Sequence, residues 1–145
     1  MTWSMHRQPH ATRVAADGSF SAHASSPGPH SLTASCTVRG QGISLSRSIA
    51  VPQGGLTGQS LRIPTGDASI ELVHPPSEFG LFLRVKSIDR PELVHFPRNF
   101  EDGRERTLFQ FLTAGAYEVL MSIDQQRSSK RVELAQGEHR VVELP

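Results

Sequence analysis

The sequence predicts an all-β protein made of two tandem antiparallel β-sandwich units, the first of them truncated. Three observations carry that prediction: a two-residue hydrophobic period, closely spaced turn residues, and an internal repeat. Alternation appears in Ile43 with Leu45, Ile49 with Val51 and Leu61 with Ile63, and again in the second half. There it runs through Ile70 with Leu72, Leu81 with Leu83 and Val85, Phe109 with Phe111, Tyr117 with Val119 and Met121, Val132 with Leu134, and Val142 with Leu144. A strand with one buried face has this period. The 12 Gly and 10 Pro fall too close together for long helices. Short alternating segments between turns specify a sandwich or barrel.

The repeat divides the chain. Pro27–Gly28–Pro29–His30–Ser31–Leu32 aligns with Ala114–Gly115–Ala116–Tyr117–Glu118–Val119, each a glycine turn entering an alternating segment. Ile49–Ala50–Val51–Pro52–Gln53–Gly54 aligns with Val132–Glu133–Leu134–Ala135–Gln136–Gly137, and Leu61–Arg62–Ile63–Pro64 with Val142–Glu143–Leu144–Pro145. Self-similarity of this kind marks one supersecondary unit used twice. The resulting layout is an unstructured leader over 1–11, an incomplete unit over 12–66 and a second unit over 67–145. Fewer residues precede Gly28 than separate Asp67 from Gly115, so the first unit is expected to lack one to three strands. An opened sandwich exposes an edge. Residues upstream of Met1, another chain or the second unit are then expected to cover it.

Asp17–Gly18–Ser19–Phe20 followed by Pro27–Gly28–Pro29–His30–Ser31–Leu32–Thr33–Ala34 resembles the "DGxF … PGxYxLxA" signature of carboxypeptidase regulatory-like domains. Phe109 through Leu120 resembles it more loosely. His30 stands where that family prefers tyrosine, and Ala114 replaces the proline before Gly115. The resemblance implies a seven-stranded prealbumin-like or starch-binding-like sandwich on a secreted or cell-envelope protein, without catalytic residues. Physics accounts for the motif residues themselves. Glycine supplies positive φ at the turns, and Tyr117 is expected to bury its ring while its hydroxyl reaches back to the backbone.

Charge and motifs narrow the chemistry. With 15 Lys plus Arg against 14 Asp plus Glu, nothing predicts a nucleic-acid partner, and the basic run Arg127–Arg131 reads as a solvated turn. No apolar run is long enough to span a membrane, and Met1–His10 lacks the pattern of a secretory signal. Cys36, the one cysteine, sits among small and apolar residues and reads as a buried, inert thiol.

The histidines His6, His10, His23, His30, His74, His95 and His139 show no metal-ligand spacing, so no metal or other cofactor is expected. There is no GxSxG elbow and no phosphate loop, and Glu101, Asp102 and Glu105 lie among Arg104 and Arg106 in a mixed-charge loop. No nucleophile, base and orienting group come from neighbouring positions, so the chain does not read as an enzyme. Most of the seven Phe occupy strand positions suited to a core. The exception is the His95–Phe100 segment, where His95, Phe96, Arg98 and Phe100 are the candidate contact residues for a protein or polysaccharide partner. The leading expectation is a spacer or interaction module of a larger envelope or secreted protein, and the alternative is a carbohydrate-binding module.

Overall fold

The structure is a computed structural model and describes residues 14–16, 19, 21, 26–76, 81–97 and 105–144. Asp17, Gly18 and Phe20 of the first motif, the leader, Arg98 and Phe100 lie outside the described residues. Among those described there are nine strands and no helix, as the hydrophobic period requires.

Two compact units divide the chain, one formed by Met1–His30 with Ser48–Gln59, the other by Ser31–Arg47 with Ser60–Pro145. In the smaller unit the His30 ring donates from Nε2 to the Ser26 carbonyl at 2.7 Å. Its Pro52–Gly55 turn closes with a 3.1 Å bond from the Gly55 N–H to the Pro52 carbonyl.

The larger unit holds the sandwich core. The strands in chain order are β1 (Gly28–Val38), β2 (Gln41–Val51), β3 (Ala68–Val73), β4 (Phe82–Ser87), β5 (Leu93–Pro97), β6 (Arg106–Leu112), β7 (Gly115–Ile123), β8 (Gln126–Leu134) and β9 (His139–Glu143). They form a six-stranded sheet, β1-β2-β5-β4-β7-β8, and a three-stranded sheet, β6-β3-β9, in which β3 and β9 run parallel. Inward residues from both sheets make one apolar cluster: Ile70 and Leu72 of β3, Phe109 of β6 and Val142 of β9 meet Leu83 and Val85 of β4 and Tyr117, Val119 and Met121 of β7. Each large aliphatic side chain buried there contributes about 1.5–3 kcal/mol relative to exposure.

The expected separation at residue 66 meets a different grouping. β2 pairs with β5 from Gln41↔Pro97 to Leu45↔Leu93, so strands from both expected units share one sheet. The cause is burial: Ile43 and Leu45 close against Leu93, with Leu61 and Ile63 packed on the same small cluster. What the two halves share is a hairpin. β1–β2 turns at Arg39–Gly40 (φ 49° and 77°) and β7–β8 at Asp124–Gln125 (φ 46° and 70°), both left-handed pairs of the kind that match strand twist. The closing segments differ, because Val142 and Glu143 belong to β9 whereas Leu61–Pro64 is not a strand.

Three finer expectations are corrected. Arg127–Arg131 is not a turn but part of β8, since the turn falls earlier, at Asp124–Gln125. Cys36 is exposed, because β1 lies beyond β2 at the margin of the described sheet, past the reach of either core cluster. Of the phenylalanines described, Phe109 alone is fully buried, while Phe82 projects from the opposite face of β4 and is 49% exposed.

The turn into β7 is as the sequence predicts. Tyr117 is 1% exposed, and its hydroxyl donates to the Thr113 carbonyl at 2.8 Å. Gly115 has φ 147°, and a Cβ there would sit 2.9 Å from Asp89 Oδ2, which accepts the Ala116 N–H at 3.2 Å. Gly115→Val is therefore expected to destabilise the chain by about 1–3 kcal/mol, measured by urea unfolding. A valine variant as stable as the parent would show that neither the backbone conformation nor the Asp89 contact matters.

Candidate functional site

The candidate residues His95 and Phe96 are neighbours on β5, so their side chains leave opposite faces of the sheet. Phe96 lies over Gly42, its register partner on β2, and any Cβ at position 42 would run into its ring. His95 points the other way and is completely buried. The two described members of the expected contact set, His95 and Phe96, therefore do not share a face: one packs over a strand pair and the other enters the interior, while Arg98 and Phe100 lie outside the described residues.

His95 belongs to a buried polar junction that spacing alone did not reveal. Its origin is a bulge in β6. Pairing with β3 passes from Ala68↔Leu112 to Ile70↔Phe109, leaving Gln110 and Phe111 opposite a single β3 residue. Phe111 takes φ 63°, a left-handed conformation uncommon for a large side chain. Its carbonyl is recovered by the Gly66 N–H at 3.2 Å. Gln110 is recovered by a side chain from the other sheet: Gln41 Oε1 accepts the Gln110 N–H at 2.6 Å and Gln41 Nε2 donates to the Gln110 carbonyl at 2.8 Å. The same Nε2 donates to His95 Nδ1 at 2.8 Å.

The proton positions follow from these partners. A backbone N–H only donates and a carbonyl only accepts, so the Gln41 amide has one allowed orientation. His95 Nδ1 must then be the acceptor, which puts the ring hydrogen on Nε2. That atom is buried and has no hydrogen-bond partner among the described residues. Burial pushes the imidazole down to about 4, so His95 is neutral near pH 7.

A second polar cluster lies on the outward face of the three-stranded sheet. Ser69 Oγ is 2.7 Å from His139 Nδ1, His139 Nε2 is 3.5 Å from Glu71 Oε2, and Arg106 Nη1 donates to Glu71 Oε1 at 2.6 Å. Serine, histidine and carboxylate in this order have the connectivity of a nucleophile, a base and its orienting group. Acyl transfer would also need donors aimed at a developing oxyanion. Ser69's own N–H is committed to the Glu138 carbonyl at 2.9 Å. What the cluster does in the structure is tie β3 to β6 and β9. No sequence spacing could have exposed it, because residues 69 and 139 meet only through the parallel β3–β9 register.

The remaining described histidines have local partners. His74 is buried, its Nδ1 donating to the Pro75 carbonyl at 2.6 Å and its Nε2 accepting from Thr107 Oγ1 at 2.8 Å. Among the described residues no group of three or more His, Cys, Asp or Glu side chains is arranged to hold a metal ion. No helix among them is long and apolar enough to cross a membrane.

The hydrogen bond from Arg106 is the main cause holding the Glu71 carboxyl below the usual carboxylate range, against a smaller opposing effect of burial. A depressed carboxyl favours the folded state above its unfolded value, and that contribution disappears as pH falls through the folded one. Carbon-detected NMR titration should place Glu71 below an ordinary glutamate, and Arg106→Gln should move it back up. An unchanged titration in that variant would show that the pair does not form in solution. No known family model matches the chain, no curated protein matches it in sequence, and no solved structure matches it in fold.

Proposed function

We propose that the chain serves as a β-sandwich spacer or interaction module of a larger cell-envelope or secreted protein, and performs no catalysis itself. The observation that carries this reading is the use made of its most distinctive side chains. Tyr117, Gln41, His74 and His95 are committed to turns, a bulge and strand pairing. An all-β arrangement in two sheets, with β3, β4, β6, β7, β8 and β9 contributing to one core, is compatible with the resemblance to a prealbumin-like carboxypeptidase regulatory-like domain. So is the glycine turn leading into the buried Tyr117.

The carbohydrate-binding alternative has less support. Stacking on a sugar mostly uses exposed tryptophan or tyrosine rings, and the chain's single tyrosine lies in the core, leaving Phe82 as the exposed aromatic among the described residues. Trp3 lies outside the described residues.

Fractionation of the native host, probed with an antibody raised against the folded chain, tests the proposal. The expected result is a band longer than 145 residues in the envelope or secreted fraction. A free 145-residue species confined to the cytosol would contradict it. Titration calorimetry against starch and cell-wall polysaccharides is expected to give no binding heat, and saturable heat would favour the alternative.

A further inference from the structure

We propose that the β2–β5 junction is a proton-operated latch: the closed pairing of Gln41–Leu45 with Leu93–Pro97 admits only neutral His95, and a proton on that ring releases β2 from β5. This goes beyond the spacer reading and does not depend on it.

The Gln41 amide is locked. Turning it over would set its NH₂ against the Gln110 N–H and its oxygen against the Gln110 carbonyl, at contacts now 2.6 and 2.8 Å long. Its remaining N–H faces His95 Nδ1 at 2.8 Å, a nitrogen that must keep its lone pair bare. The other ring nitrogen already carries the hydrogen. A second proton can enter only at Nδ1, where the ring and Gln41 would then present hydrogens to each other.

Among the described residues, none that packs on the ring offsets the charge. In register with His95 stand Ile43 of β2 and Val85 of β4. Gln41 of β2 is hydrogen-bonded to the ring, and Gln110 of β6 lies beyond that amide. None of these side chains titrates. Burial is the cause of the downward shift of the imidazole, with no charged neighbour among the described residues contributing.

The protonated ring is therefore accommodated by leaving the junction. Opening exposes Ile43, Leu45 and Leu93, a cluster separate from the main core, so the other strands of the six-stranded sheet can stay closed. The sign follows from linkage. The open form binds the proton with the ring's ordinary value of 6.5, whereas the closed form resists it down to about 4. The opening equilibrium therefore rises as pH falls through that window, by roughly 100-fold between neutral pH and the lower limit.

Amide hydrogen exchange followed by NMR on the full chain tests this, with protection factors corrected for the intrinsic effect of pH. Protected amides of Gln41–Leu45 and Leu93–Phe96 are expected to lose about 100-fold in protection on acidification, while the β4–β7 ladder changes by less than about threefold. His95→Gln retains an acceptor toward Gln41 but cannot be protonated in this range, so its β2–β5 protection should stay flat. Parallel losses in both ladders, no loss at all, or the same loss in His95→Gln would overturn the proposal. Should that variant fail to fold, the ¹⁵N shifts of the wild-type ring decide. A hydrogen on Nε2 at neutral pH, and ring titration coincident with loss of β2–β5 protection, are expected. A ring that titrates while the junction stays protected refutes the latch.

Discussion

The amide of Gln41 holds together parts of the fold that backbone pairing leaves separate. A bulge in β6 removes Gln110 from its ladder with β3, and partial burial makes an unpaired N–H or carbonyl there costly, up to about 1–3 kcal/mol each. Gln41 reaches across from β2 and meets both groups, acting as one more strand neighbour. Its third bond fixes the tautomer of His95. One side chain thus joins the two sheets of the larger unit, anchors β2 and sets the tautomer of a buried ring.

Two similar hairpins, β1–β2 and β7–β8, occupy opposite margins of one six-stranded sheet. The β7–β8 pair inserts Tyr117, Val119, Met121, Val132 and Leu134 into the main core. By contrast, β2 contributes Ile43 and Leu45 to a separate cluster with Leu93, against which Leu61 and Ile63 pack. A small apolar contact can slip along a flat strand pair unless something directional fixes its register. Gln41 supplies that direction, as does Gly42, whose missing side chain admits the Phe96 ring.

Much of the fold was legible in the sequence because it depends on local chemistry. Alternation gave the strands, and Gly115 with Tyr117 gave a corner whose hydroxyl bond the structure contains. What sequence could not reveal depends on register. Ser69, Glu71 and His139 meet through a parallel pairing of distant strands, and Gln41 meets Gln110 through a bulge that no residue type announces. Cys36 was misread for a related reason: its apolar neighbours suggest burial, but β1 lies outside the reach of both clusters. Of the four candidate contact residues, the described pair His95 and Phe96 are adjacent on a strand and so point to opposite faces, His95 being buried.

The most direct measurement is the unfolding free energy of Gln41→Leu in the full chain. Leucine keeps the bulk and apolar stem at the position while removing every hydrogen bond to Gln110 and His95. If Gln41 organises the junction, equilibrium urea unfolding should show a loss of about 2–4 kcal/mol. A variant within about 0.5 kcal/mol of the parent would contradict the account and show that water or neighbouring groups satisfy the bulge equally well.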